Sequence, residues 1–175
     1  MSLFKRAAGI TLGATLTASL AASALDLGDS SQARASTTVA AAERAPAPAY
    51  RASRAHARAV FGARTVEVAS HYQGVPYRYG GTTPRGFDCS GFTRFVYGKL
   101  HKRLPRTAQE QFNHAHPVKH PRVGDLLFYH SGSRKGHVYH VVIYAGHDRV
   151  WHAPNPGTSV KKGKIYSRHW TAGRY

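Results

Sequence analysis

Residues 86–92 read GFDCSGF, and Cys89 is the only cysteine in a chain of 175 residues. A lone thiol is either a small buried hydrophobe or a nucleophile. Its local sequence favours the second use. The stretch CSGFTRFVYGKLHKRL places Phe92, Phe95, Val96 and Leu100 on one helical face, with Asp88 available as the N-cap. Cys89 then falls in the first turn, where unpaired amides and the helix dipole stabilise a thiolate and can hold the oxyanion of a tetrahedral intermediate.

Such a nucleophile needs a base. Most of the 12 histidines lie in polar stretches such as NHAHPVKH, but His140 and His152 interrupt apolar, strand-like runs, HVVIY and VWHAP. Either one alone reads as a satisfied core histidine. As a pair they gain meaning, because AGHDR between them reads as a hairpin turn. A loop over 146–148 sets Val142 opposite His152 and leaves His140 two positions along on the same face, within reach of His152. Nucleophile, base and orienting group form the general triad, filled here by Cys89, His140 and His152. Zinc would use the same atom types, with His137 and His140 in HVYH, but strand residues three apart face opposite ways and no C-x-x-C or H-E-x-x-H spacing occurs. No metal or other cofactor is expected.

The elements that must position these groups follow in order. ARTVEVASHYQG predicts a short helix stopped at Gly74, and VPYRYGGTTPRGFD a tightly turned loop. Thr107 and Glu110 form a capping-box pattern that starts another helix. GDLLFYH, HVVIYAG and RVWHAP then read as strands of an antiparallel sheet. Helices first and strands afterwards is an α+β arrangement.

Ahead of this domain, expected over 61–175, the chain changes character. MSLFKR, the apolar run over 7–22 and ASA at 22–24 read as a signal peptide over 1–24, so export and a cell-wall or extracellular location are expected. Residues 25–60 are rich in Ala, Arg and Pro and read as a flexible basic segment, with weak helical character in AYRASRAHARAV. The formal charge of +17 favours anionic polymers. Export turns that preference away from nucleic acid and towards acidic cell-wall polymers, bound through the basic segment. A monomer is expected.

GVPYRYGGTTPRGFDCSGFTRFVY, LPRTAQEQ, VGDLLFY, HVVIYAG and VWHAP together resemble, in order and spacing, the NlpC/P60 family of papain-like cysteine peptidases, over about residues 62–166. The resemblance implies a papain-like fold with helices packed on a central antiparallel sheet and the nucleophile at a helix N-terminus. It implies hydrolysis of peptidoglycan stem peptides, commonly between γ-D-glutamyl and a diamino acid. It also implies that Cys89 is the nucleophile, His140 the base and His152 the orienting residue. Tyr77 is implied at the cleft, binding oxyanion or substrate, with Asp88 and Ser90 binding the stem's free amino end. Val142 departs from the pattern, standing where the family usually has glycine, and a narrower site or a shifted sheet is expected there. A non-catalytic wall-binding protein, and an amidase or acyltransferase of related fold, are the competing readings.

Overall fold

The computed structural model describes residues 48–175, so the expected signal peptide and most of the expected basic segment lie outside the described residues. Helix α1 spans Pro48–Ser70, the short strands β1 and β2 span Thr82–Thr83 and Gly86–Phe87, and helices α2 and α3 span Cys89–Lys99 and Ala108–His114. Six strands follow: β3 His116–Val118, β4 Leu126–His130, β5 Val138–Gly146, β6 Arg149–His152, β7 Lys161–Lys164 and β8 Trp170–Arg174. They form one sheet in the order β3-β8-β4-β5-β6-β7, and every neighbouring pair is antiparallel.

Helix α1 runs through the expected boundary at residue 60. Residues 48–60, where only weak helical character is expected, lie within this helix. Pro48 suits a first helical position, and the Ala and Arg that follow are strong helix formers with no glycine or proline among them. This half is exposed, while Gly62, Thr65 and Ala69 form the buried stripe farther on. The packed half therefore nucleates a helix that propensity extends into solvent. Gly62 is needed at the crossing, because a Cβ there would strike the Val123 carbonyl.

The sheet is buried on both faces. Leu126, Phe128, Val141, Ile143 and Trp151 join Phe87, Phe92 and Val96 in the larger core, on the face that the helices cover. Leu127, Tyr129, Val142, Val150 and Ala172 form a second cluster on the other face, closed by Ile165 and Trp170. Val142 is fully buried there. It belongs to an apolar cluster on the sheet face opposite the larger core.

Two local devices tie the helices to the sheet. Thr107 caps α3 in the predicted capping box with Glu110. From α3, the buried Gln111 accepts from Thr93 Oγ1 at 2.8 Å and donates to the carbonyls of Ser90 and Pro105 at 3.0 Å each. Gln109 of the same helix accepts the amide of Val138 at 2.9 Å, at the start of β5. One seven-residue helix thus holds both the first turn of α2 and the strand carrying His140.

Candidate active site

Asp88 caps α2 by accepting the Gly91 amide at 2.7 Å, which sets Cys89 as the first helical residue. The thiol is partly buried, and the amides of Val141 and Ser90 and the Ser90 hydroxyl lie close enough to favour its charged form. Val141 follows His140 directly, so the thiol lies beside the strand that carries this histidine. Burial nevertheless pushes the Cys89 thiol above its ordinary range, and the charge of Asp88 adds to it against those amides. The thiolate expected from a helix start alone does not prevail, because desolvation exceeds the stabilisation from the local amides.

The β5–β6 hairpin builds the histidine pair. Its loop is two residues, His147 and Asp148, both with positive φ, as a type I′ turn demands. An irregularity between Tyr144 and Gly146 absorbs the third residue of the expected loop, and Ile143 pairs with Trp151. Continued by one step, this register sets Val142 opposite His152. A bulge at Tyr139 precedes His140, whose partner across the β4 ladder is Tyr129. The rings meet: His140 Nε2 lies 3.0 Å from His152 Nδ1. Burial holds His140 down to about 3, with the neighbouring ring of His152 adding to it, and holds His152 down to about 4, with Lys161 adding to it. Both imidazoles are therefore neutral at neutral pH, and one N–H donates across the pair.

Thiol and imidazole thus rest uncharged. In the tautomer with the proton on His140 Nε2, that N–H donates to His152 Nδ1 and Nδ1 of His140 carries the lone pair.

The remaining predicted residues divide. Tyr77 lies close enough for Cys89 and Asp88 to add to the upward shift that burial gives its hydroxyl, and its amide donates to Thr158 at 2.8 Å. Asp88 and Ser90 are already engaged. Arg106 pairs with both carboxylate oxygens of Asp88 and donates to Ser90 Oγ at 3.0 Å. Burial raises the Asp88 carboxyl, but the bonds from Arg106 and Gly91 outweigh it and hold the group below its usual range. Any amine reaching Asp88 must share it with a guanidinium. His137 is exposed, lies ahead of β5 and stays out of the pair.

A model of the NlpC/P60 family matches residues 74–174, more than half of the chain. The chain belongs to the NlpC/P60 family. A probable endopeptidase of Corynebacterium glutamicum is 39% identical over 121 residues, covering 68% of this chain and 54% of that protein. A gamma-D-glutamyl-L-lysine dipeptidyl-peptidase of Bacillus subtilis is 33% identical over 98 residues, 55% of this chain and 33% of that protein. The chain thus spans about half or less of the length of these relatives. The solved NlpC/p60 domain of the peptidoglycan hydrolase SagA superposes with a TM-score of 0.59 at 39% identity, covering 65% of this chain and 98% of that domain. The α+β papain-like fold is shared with it.

Within this NlpC/P60 domain, sequence reasoning passes over several neighbours of the site. Tyr166 stacks on Tyr129 at 4.6 Å between ring centres and stands 6.4 Å from both His140 and His152. It comes from the connection after β7, which carries no local motif. Arg106 sits in the quoted LPRT block, and only the fold reveals that its partner is Asp88. Gly163 lies beside His152 in the adjacent strand, where a Cβ would come 3.1 Å from Nε2.

Proposed function

We propose that this NlpC/P60 domain is a cysteine peptidase that hydrolyses peptidoglycan stem peptides at the bond between γ-D-glutamyl and a diamino acid. The observation that carries the reading is the 3.0 Å contact between His140 Nε2 and His152 Nδ1, on a strand whose Val141 lies close enough to influence the Cys89 thiol. The family membership and the relatives' names support the substrate class.

In the proposed reaction Cys89 attacks the amide carbonyl while His140 takes its proton on Nδ1, and the new imidazolium donates from Nε2 to His152. Amides at the start of α2, with the Tyr77 hydroxyl, receive the developing oxyanion. The intermediate collapses to a thioester as His140 hands its proton to the leaving amine. Water, activated by the same imidazole, then releases the carboxylate and restores the thiol. The protein acts outside the cell or at its wall after removal of residues 1–24, as a monomer, and the basic segment concentrates it on anionic wall polymers.

Defined muropeptides incubated with the protein and read by mass spectrometry identify the bond from one mass difference. The Cys89→Ala protein is expected to release no product. Cleavage by that variant at the wild-type rate sinks the thioester mechanism, and a product cut elsewhere in the stem sinks the γ-D-glutamyl assignment.

A further inference from the structure

The histidine pair opens onto a cavity of about 580 Å3 whose walls include His140, His152, Lys161, Gly163, Lys164 and Tyr166. No acidic side chain lines it. In the β6–β7 ladder His152 pairs with Lys161, so the two side chains leave the sheet on the same face. Lys161 is exposed, and among the described residues it has no ion-pair partner. Gly163, two positions along the same face, keeps the space beside the His152 ring open.

The position of this cavity matters to the chemistry. A general acid must reach the departing nitrogen, so the residue that carries the leaving amine lies over His140 rather than over the α2 side of the thiol. The cavity beside the histidines is on that side. We propose that it is the subsite for the leaving residue, and that Lys161 makes it select leaving residues bearing a carboxylate. The inference rests on the peptidase reading above and names its substrate preference.

Electrostatics supports it from a second direction. After burial, the charge of Lys161 is the main influence holding His152 neutral. The histidine pair must become positive when Cys89 gives up its proton, and the neighbouring ammonium opposes that step. A carboxylate docked on Lys161 cancels the opposing charge when substrate is present, so the correct leaving residue would raise turnover as well as affinity. An amidated leaving residue offers neither effect. The carboxylate can be the α-carboxylate of a terminal residue or a side-chain carboxylate of a longer diamino acid, since both present the same chemistry to an ammonium.

Three peptides separate these sources: γ-D-glutamyl-L-lysine, its C-terminal carboxamide, and the carboxamide of γ-D-glutamyl-diaminopimelate that keeps only its side-chain carboxylate. One or both carboxylate-bearing peptides should exceed the lysine carboxamide in kcat/KM by about tenfold, the worth of one charge-assisted hydrogen bond. The peptide that does so identifies the source. The advantage should collapse in Lys161→Gln, return in Lys161→Arg, and persist in Lys162→Gln, whose position pairs with Trp151 on the opposite face. Equal rates for all three peptides, or an advantage that survives Lys161→Gln, overturns the proposal. Binding is read separately by titrating diaminopimelate into the Cys89→Ala protein and following the His152 ring by NMR, with a shift expected that Lys161→Gln removes. If no peptide is cut but this shift is seen, the peptidase reading fails and the subsite stands. If the shift is missing, the subsite is overturned.

Discussion

His130 and His140 occupy adjacent strands of one sheet and are buried alike, at 2% and 4% exposure, yet they are finished differently. His130 is saturated: Nδ1 meets the Gly136 carbonyl and Nε2 meets Thr171 Oγ1, each at 2.7 Å, with Phe112 edge-on to the ring at 5.1 Å. His140 has one nitrogen on His152 and, among the described residues, no hydrogen bond on the other. Both nitrogens of His130 are occupied, whereas the second nitrogen of His140 is left open to a proton. Residue type and burial are common to the two. Completeness of hydrogen bonding separates a structural histidine from a chemical one.

Substitution breaks the comparison most sharply. His140→Ala is expected to lower kcat by roughly 10²- to 10⁴-fold, the usual worth of a positioned acid–base group, with little loss of stability. His130→Ala should do the reverse: kcat close to wild type, and unfolding free energy lower by about 2 kcal/mol because two hydrogen bonds and ring packing go. His152→Ala should cost less activity than His140→Ala, since nucleophile and base remain. Steady-state kinetics and urea unfolding on the same preparations decide this. A large kcat loss in His130→Ala with an intact fold, or equal losses at 140 and 152, would show that the roles are misassigned.

Acid sharpens the same contrast, with a smaller effect. In the unfolded chain a histidine titrates near pH 6.5. The folded pair stays neutral, His140 down to about 3 and His152 down to about 4, chiefly through burial. Between those values the unfolded state binds more protons, so stability is greatest above pH 6.5 and falls as pH drops towards 4. Urea midpoints at pH 7 and pH 5, where most carboxylates stay ionised, should show the decrease, and His152→Gln should make it shallower. A midpoint that is the same at both pH values contradicts the neutral pair.

How much of this was legible in the sequence follows the range of the interactions. The start of α2, the capping box at Thr107 and the hairpin between the histidines were readable because each depends on residues within a few positions of one another. The loop came out a residue shorter than expected, and the irregularity before Gly146 restored the same register beyond it. What escaped depends on distant partners. His130 ends the predicted strand GDLLFYH with no role assigned, since nothing in FYHSGS announces Thr171, 41 residues on. KKGK, which carries no β-branched or aromatic residue to mark a strand, forms the edge strand β7, whose Lys161 and Gly163 face the site. The shift of the Cys89 thiol was anticipated with the wrong sign, because a helix start is a local feature and desolvation belongs to the whole fold.

The smallest expected effect lies at Gly163, in β7 opposite Val150. A methyl group there would sit 3.1 Å from His152 Nε2, close enough to push the ring by a few tenths of an ångström but too little to disturb the backbone. The ring can yield only by rotating or sliding along the His140 contact, and a hydrogen bond of 3.0 Å loses strength quickly when misaligned. Gly163→Ala is therefore expected to lower kcat by roughly tenfold or less, with KM for a carboxylate-free peptide and the urea midpoint close to wild type. A role confined to folding would lower the midpoint without changing kcat in the folded protein. Cutting back the ring distinguishes the two: in a His152→Ala background the added methyl has nothing to displace, so Gly163→Ala should no longer reduce kcat. If the two losses simply multiply, Gly163 acts on something other than the histidine pair.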